Sequence, residues 1–85
     1  MNRRERIKAR LQLINQRLEA YYQAEAAILS GAQSYQLGNR KISRADLSHL
    51  QNEIRGLEKI QEELENALAT GSTKRKAFRI LYRDL

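Results

Sequence analysis

The sequence predicts a mainly α, α+β fold: two long antiparallel helices joined by a short two-stranded β-hairpin, plus a C-terminal extension. Three observations carry this. Apolar residues recur at steps of three and four on both sides of the middle of the chain, a Gly-Asn pair separates two short alternating runs, and proline is absent.

The first helix is expected from about Asn2 to Ser30. Ile7, Leu11, Ile14, Leu18, Tyr21 and Ile28 form one stripe with a single gap, and Glu25 falls in that gap. At 1.5 Å per residue such a helix is about 40 Å long. A carboxylate inside an apolar stripe costs stability unless it is paired or hydrogen-bonded, so Glu25 is expected either to tie the first helix to the hairpin or to sit in water where the helix rotates or frays. Arg44, His49 or backbone N–H groups are its expected partners.

Gly31 follows the last periodic residue, where a C-terminal cap is expected. The runs "SYQL" and "RKIS" then flank Gly38-Asn39, a two-residue turn whose members both tolerate positive φ. Pairing 37 with 40 and 35 with 42 places Tyr35, Leu37 and Ile42 on one face, with Gln36 and Lys41 on the other. An isolated hairpin is unstable in water, so that apolar face must lie on the helices.

Ser43 is the expected N-cap of the second helix, with Asp46 closing a capping box in place of the usual Glu. The helix should run to about Thr70 on Leu47, Leu50, Ile54, Leu57, Ile60, Leu64 and Leu68. Ile60 and Leu64 drift to the flank of this stripe while Gln61 takes its centre, so the second half faces differently. Gly56 lies away from the stripe and is read either as a point of close approach by a neighbouring subunit or as a plain surface glycine. The helix–hairpin–helix domain is assigned to residues 1–71, and residues 72–85 to a basic and apolar docking segment.

A chain of 85 residues buries only about 60% of its unfolded surface, so the core is marginal and external support is expected. Without cysteine that support is neither a disulfide nor a thiolate metal site. No apolar run approaches a transmembrane length and the N-terminus lacks a signal-peptide core, so the expectation is a soluble protein with no membrane partner.

The net charge of +6 is uneven: residues 1–10 and 72–85 each carry five basic groups and one acidic group, whereas residues 11–71 carry six and eight. The ends, rather than the body, seek something negative. Arg3, Arg4, Arg6 and Lys8, with Lys74, Arg75 and Lys76, are candidates for contact with DNA or an acidic surface. Phe78, Ile80, Leu81, Tyr82 and Leu85 form an apolar set too dense for a free tail, and are either a third piece of the core or candidates for binding a partner.

No catalytic constellation is visible, and no enzyme activity, metal or cofactor is expected. His49, the single histidine, has Asp46 and Glu53 at helical spacing and reads as solvated. Tyr21 continues the core stripe and Tyr22 flanks it, which fits helix packing better than base stacking.

The run "ILSGAQSYQLGNRKISRADLSHLQNEIRGLE", residues 28–58, resembles the core of the small tailed-phage proteins related to lambda's W protein. The matching residues are Leu29, Gly31, Tyr35, Ile42, Ser43, Asp46, Leu47, Leu50, Ile54, Leu57 and Glu58. In two respects the chain departs from that family: its first helix is longer and its C-terminal extension is more apolar.

The resemblance implies a head-completion or head–tail connector protein. Such a protein, made in the host bacterial cytoplasm and located in the virion neck, would assemble as a homo-oligomeric, dodecameric ring below the portal protein. It would extend the DNA channel, make non-specific contact with packaged DNA and present a surface to the next neck or tail connector protein. The alternatives are a small basic nucleic-acid-binding or regulatory protein, and a dimeric helical-hairpin adaptor without a viral role.

Overall fold

A computed structural model describes residues 1–70. The order of elements is α1 (Arg3–Leu29), β1 (Ser34–Leu37), β2 (Arg40–Ser43), a single 3₁₀ turn (Arg44–Asp46) and α2 (Leu47–Thr70). This is the mainly helical fold with a hairpin between two helices that the periodicity predicts.

Helix α1 begins on a capping box. The Asn2 side chain accepts from the Glu5 N–H at 2.8 Å, and the Glu5 carboxylate accepts from the Asn2 N–H at 3.1 Å. Two of the otherwise orphaned donors of the first turn are thereby satisfied. The other end is a Schellman closure around Gly31, whose φ is 120°. There the Gly31 N–H donates to the Ile28 carbonyl at 3.1 Å and the Ala32 N–H to that of Ala27 at 3.0 Å.

The hairpin has the register the turn dictates, with Tyr35 opposite Ile42 and Leu37 opposite Arg40. Only Gly38 takes positive φ, at 62°, and Asn39 does not. This is the pattern of a type II′ turn, so the tolerance of Asn39 for the left-handed region goes unused. Ile42 is fully buried, Tyr35 and Leu37 pack against the core, and Gln36 and Lys41 are exposed.

Chain direction then changes at Ser43. Its N–H and its hydroxyl both donate to Asp46 Oδ2, each at 2.9 Å. These bonds hold the Asp46 carboxyl below the usual carboxylate range, the backbone bond acting most strongly. The helix thus opens on the predicted residues, but its first turn is 3₁₀ and α geometry starts at Leu47.

The core comprises Ile14, Leu18, Ala24 and Ile28 of α1, Ile42 of β2, and Leu50 and Ile54 of α2. Ala24 falls in the gap left in the α1 stripe and is fully buried. Burial is unequal along the helix pair. Leu18, Ile28, Ile42 and Leu50 are fully enclosed near the hairpin, whereas Ile7, Leu11, Leu64 and Leu68 toward the open end are only half-buried.

Candidate interaction surface

The two helices run antiparallel, so the start of α1 lies beside the end of α2. The Arg4 guanidinium donates to the Leu68 carbonyl at 3.2 Å, which fixes that proximity. A pair of helices leaves two broad flanks on either side of its shared core stripe, and here an arginine stripe of α1 lies on one and a run of α2 carboxylates on the other.

On one flank an open groove of about 540 Å³ is lined by Arg3, Arg6, Ile7, Arg10, Leu13 and Leu64. A second depression on the same flank, nearer the hairpin, is lined by Arg17, Tyr21, Glu53, Gly56, Leu57 and Ile60. Arg3, Arg6, Arg10, Leu13 and Arg17 follow one another at steps of three and four, so they form one stripe of α1. Among the described residues none of these four arginines enters an ion pair. Leu13 is 64% exposed, although the groove floor around it is apolar. The result is a greasy trough with a cationic wall.

The groove-side carboxylate, Glu53, is already occupied. Arg40 shares the inward face of the hairpin with Tyr35, Leu37 and Ile42, and it forks onto Glu53 at 3.0 and 3.4 Å. The bond to Glu53 is the main reason the Arg40 guanidinium is held above its ordinary value. Both side chains are about a third exposed or more, at 40% and 32%, so the pair chiefly orients the hairpin and contributes little net stability. His49 approaches Glu53 at 3.7 Å and is 70% exposed.

The opposite flank is acidic and polar. Gln61 donates to Asn15 at 2.7 Å, and Tyr22 donates its hydroxyl to Glu58 at 2.5 Å, both across the helix pair. The Tyr22 phenol is pushed up to about 12, first by that bond to Glu58, then by burial and by the neighbouring charges of Glu58, Glu25 and Glu19. Glu62 and Glu65 stand four and seven residues beyond Glu58 and continue its stripe.

Glu25 lies on this side, half-buried, and accepts from Gln51 Nε2 at 3.1 Å. Its partner is therefore neither Arg44 nor His49. Arg44 instead donates to the Ala32 carbonyl at 3.3 Å, and His49 faces Glu53 on the groove flank. The bond runs from α1 to α2 directly rather than through the hairpin.

The four N-terminal basic candidates are divided by the helix. Arg3 and Arg6 wall the groove, while Arg4 reaches Leu68 and Lys8 lies with Leu11 and Asn15 on the acidic flank. Arg10 and Arg17 belong with Arg3 and Arg6 and were legible as the same three-and-four stripe. Lys74, Arg75, Lys76, Phe78, Ile80, Leu81, Tyr82 and Leu85 lie outside the described residues. The hairpin and cap residues Tyr35, Leu37, Gly38, Asn39, Ile42, Ser43 and Asp46 all fall in the turn, strands and helix start.

Among the described residues no group of His, Asp and Glu side chains could hold a metal ion, and no helix is long and apolar enough to cross a membrane. What the described residues offer is a helix pair whose two flanks differ in charge. The chain belongs to a family of unknown function, DUF6148, whose model matches residues 1–85. No curated protein and no solved structure matches it.

Proposed function

We propose that this protein is a structural virion component, a head-completion or head–tail connector that assembles as a ring below the portal. There it extends the DNA channel and presents a surface to the next neck or tail protein. The observation that carries the reading is the segment from Ile28 to Glu58: a helix closed at Gly31, a two-residue-turn hairpin, and a helix opening on Ser43 and Asp46. Those are the elements on which the resemblance to the lambda W-like proteins rests. Two flanks of different charge, with a half-closed core between them, suit a subunit that is completed by neighbours.

In this reading the segment 72–85 docks on the portal or a neighbouring subunit through Phe78, Ile80, Leu81 and Tyr82. Its ordering trades conformational entropy for burial. The test is the native mass of the protein alone and mixed with the portal protein of the same particle. A stoichiometric ring-sized complex that is lost on deleting residues 72–85 supports the reading, and absence of any complex refutes it.

One observation favours a second reading. Arg3, Arg6, Arg10 and Arg17 span about 21 Å of one helix face, which suits contact with successive phosphates by a small nucleic-acid-binding protein. Three or four such contacts predict a log–log salt slope of roughly −3 to −4. Portal docking through apolar side chains would show no such slope.

A further inference from the structure

The arginine-walled groove and the acidic stripe lie on opposite flanks of one molecule, and their spacings match. Read forward along α1, Arg3, Arg6 and Arg10 are separated by three and then four residues; read backward along α2, Glu65, Glu62 and Glu58 are separated by three and then four. Two helices laid antiparallel therefore bring Arg3 to Glu65, Arg6 to Glu62 and Arg10 to Glu58 in a single register.

We infer that the groove is the seat of α2 from a second copy of this chain, its Glu58, Glu62 and Glu65 stripe meeting the arginine wall. The inference rests on the ring reading above, of which it names the subunit contact. Because each copy uses its groove for one neighbour and its stripe for the other, the contact is heterologous and repeats from copy to copy. The alignment is also the one already present inside each copy, where Arg4 meets the end of α2. All copies then point the same way, with every α1 start at one rim.

Other occupants fit less well. The chain's own segment 72–85 carries five basic groups and one acidic group, and the arginine wall repels it. A nucleic acid would satisfy the arginines but leave Leu13, Ile7 and Leu64 against water or phosphate. The acidic helix of a second copy answers the wall, and its side chains cover the apolar floor. Gly56, in the depression nearer the hairpin, has open space where its Cβ would stand, so no side chain of the same copy crowds that point.

The experiment is a charge swap followed by sedimentation equilibrium across concentration and salt. Wild-type protein is expected to associate beyond a dimer, less strongly as salt rises. Arg6→Glu with Arg10→Glu, or Glu62→Lys with Glu65→Lys, should each weaken association by about tenfold or more, while circular dichroism remains that of the wild type.

Mixing the two double variants at equal concentration, or combining all four substitutions in one chain, should restore it. Wild type that stays monomeric at millimolar concentration overturns the contact, as does association indifferent to both swaps or unrescued by the mixture. Portal binding by such a monomer would leave the connector reading standing. Rescued self-association without portal binding would remove that reading and leave the contact.

Discussion

Ile42→Ala is the perturbation that most directly tests how the hairpin is held. Ile42 is the one strand residue among those described whose side chain is fully buried, and it belongs to the same core cluster as Leu18 and Ile28 of α1 and Leu50 of α2. Truncating a fully buried isoleucine to alanine costs about 2–5 kcal/mol, from lost transfer energy and from the cavity left behind. A domain of this size holds only on the order of 4–10 kcal/mol in total. A loss near 3 kcal/mol, at about 4–8 °C per kcal/mol, lowers the melting temperature by roughly 12–24 °C. Lys41→Ala, on the exposed face of the same strand, should shift it by only a few degrees. Thermal unfolding followed by far-ultraviolet circular dichroism measures both. If Ile42→Ala melts within the range of Lys41→Ala, the hairpin is not anchored through this residue and the core drawn around it is wrong.

Three further outcomes are expected. Tyr22 has a folded-state pKa near 12, above the ordinary 10.0, so the stabilisation from its bond to Glu58 is present below pH 10 and lost as pH rises from there through 12; Glu58→Gln should return the tyrosine titration, followed by ring chemical shifts, toward 10. Asp46 is depressed below its ordinary 3.8, so its contribution is present above that value and lost as pH falls through the lower folded one; the melting temperature of Asp46→Asn should depend less on pH in that acid range than that of wild type. Gly56 has ordinary φ and open space at its Cβ position, so Gly56→Ala should stabilise the isolated protein by about 0.5–1 kcal/mol through helix propensity, read as a higher urea midpoint.

Much of the backbone was legible because its signals are local. Gly31 at a helix end, Gly38-Asn39 between two alternating runs, and Ser43 three residues before Asp46 each specify a conformation within a few residues. The Asn2–Glu5 box that starts α1 was equally local and equally readable. Cross-helix relations were harder, because they depend on the rotation of each helix about its own axis. That rotation decides that Glu25 meets Gln51, that Tyr22 meets Glu58, and that Arg3 walls the groove while Arg4, next in the chain, reaches Leu68. Ala24 carries little signal in the sequence, because a small side chain adds little to an apolar stripe, yet it is fully buried.

The uneven core links these flanks to assembly. Among the described residues, helices and hairpin together enclose Leu18, Ile28, Ile42 and Leu50, whereas at the open end the two helices half-cover Ile7, Leu11, Leu64 and Leu68. Helical backbone held by fewer buried contacts opens at lower free energy, so the open end should exchange its amide protons first. The segment 72–85 begins two residues beyond Thr70, and the arginine-rich start of α1 lies beside that same helix end. A partner that covers the open end adds its binding free energy to the folded state by mass action, and so raises the melting temperature of the whole chain. Its local effect should be asymmetric: amide protection should rise around Ile7 and Leu64, and change little around Ile28 and Leu50, where the core is already closed.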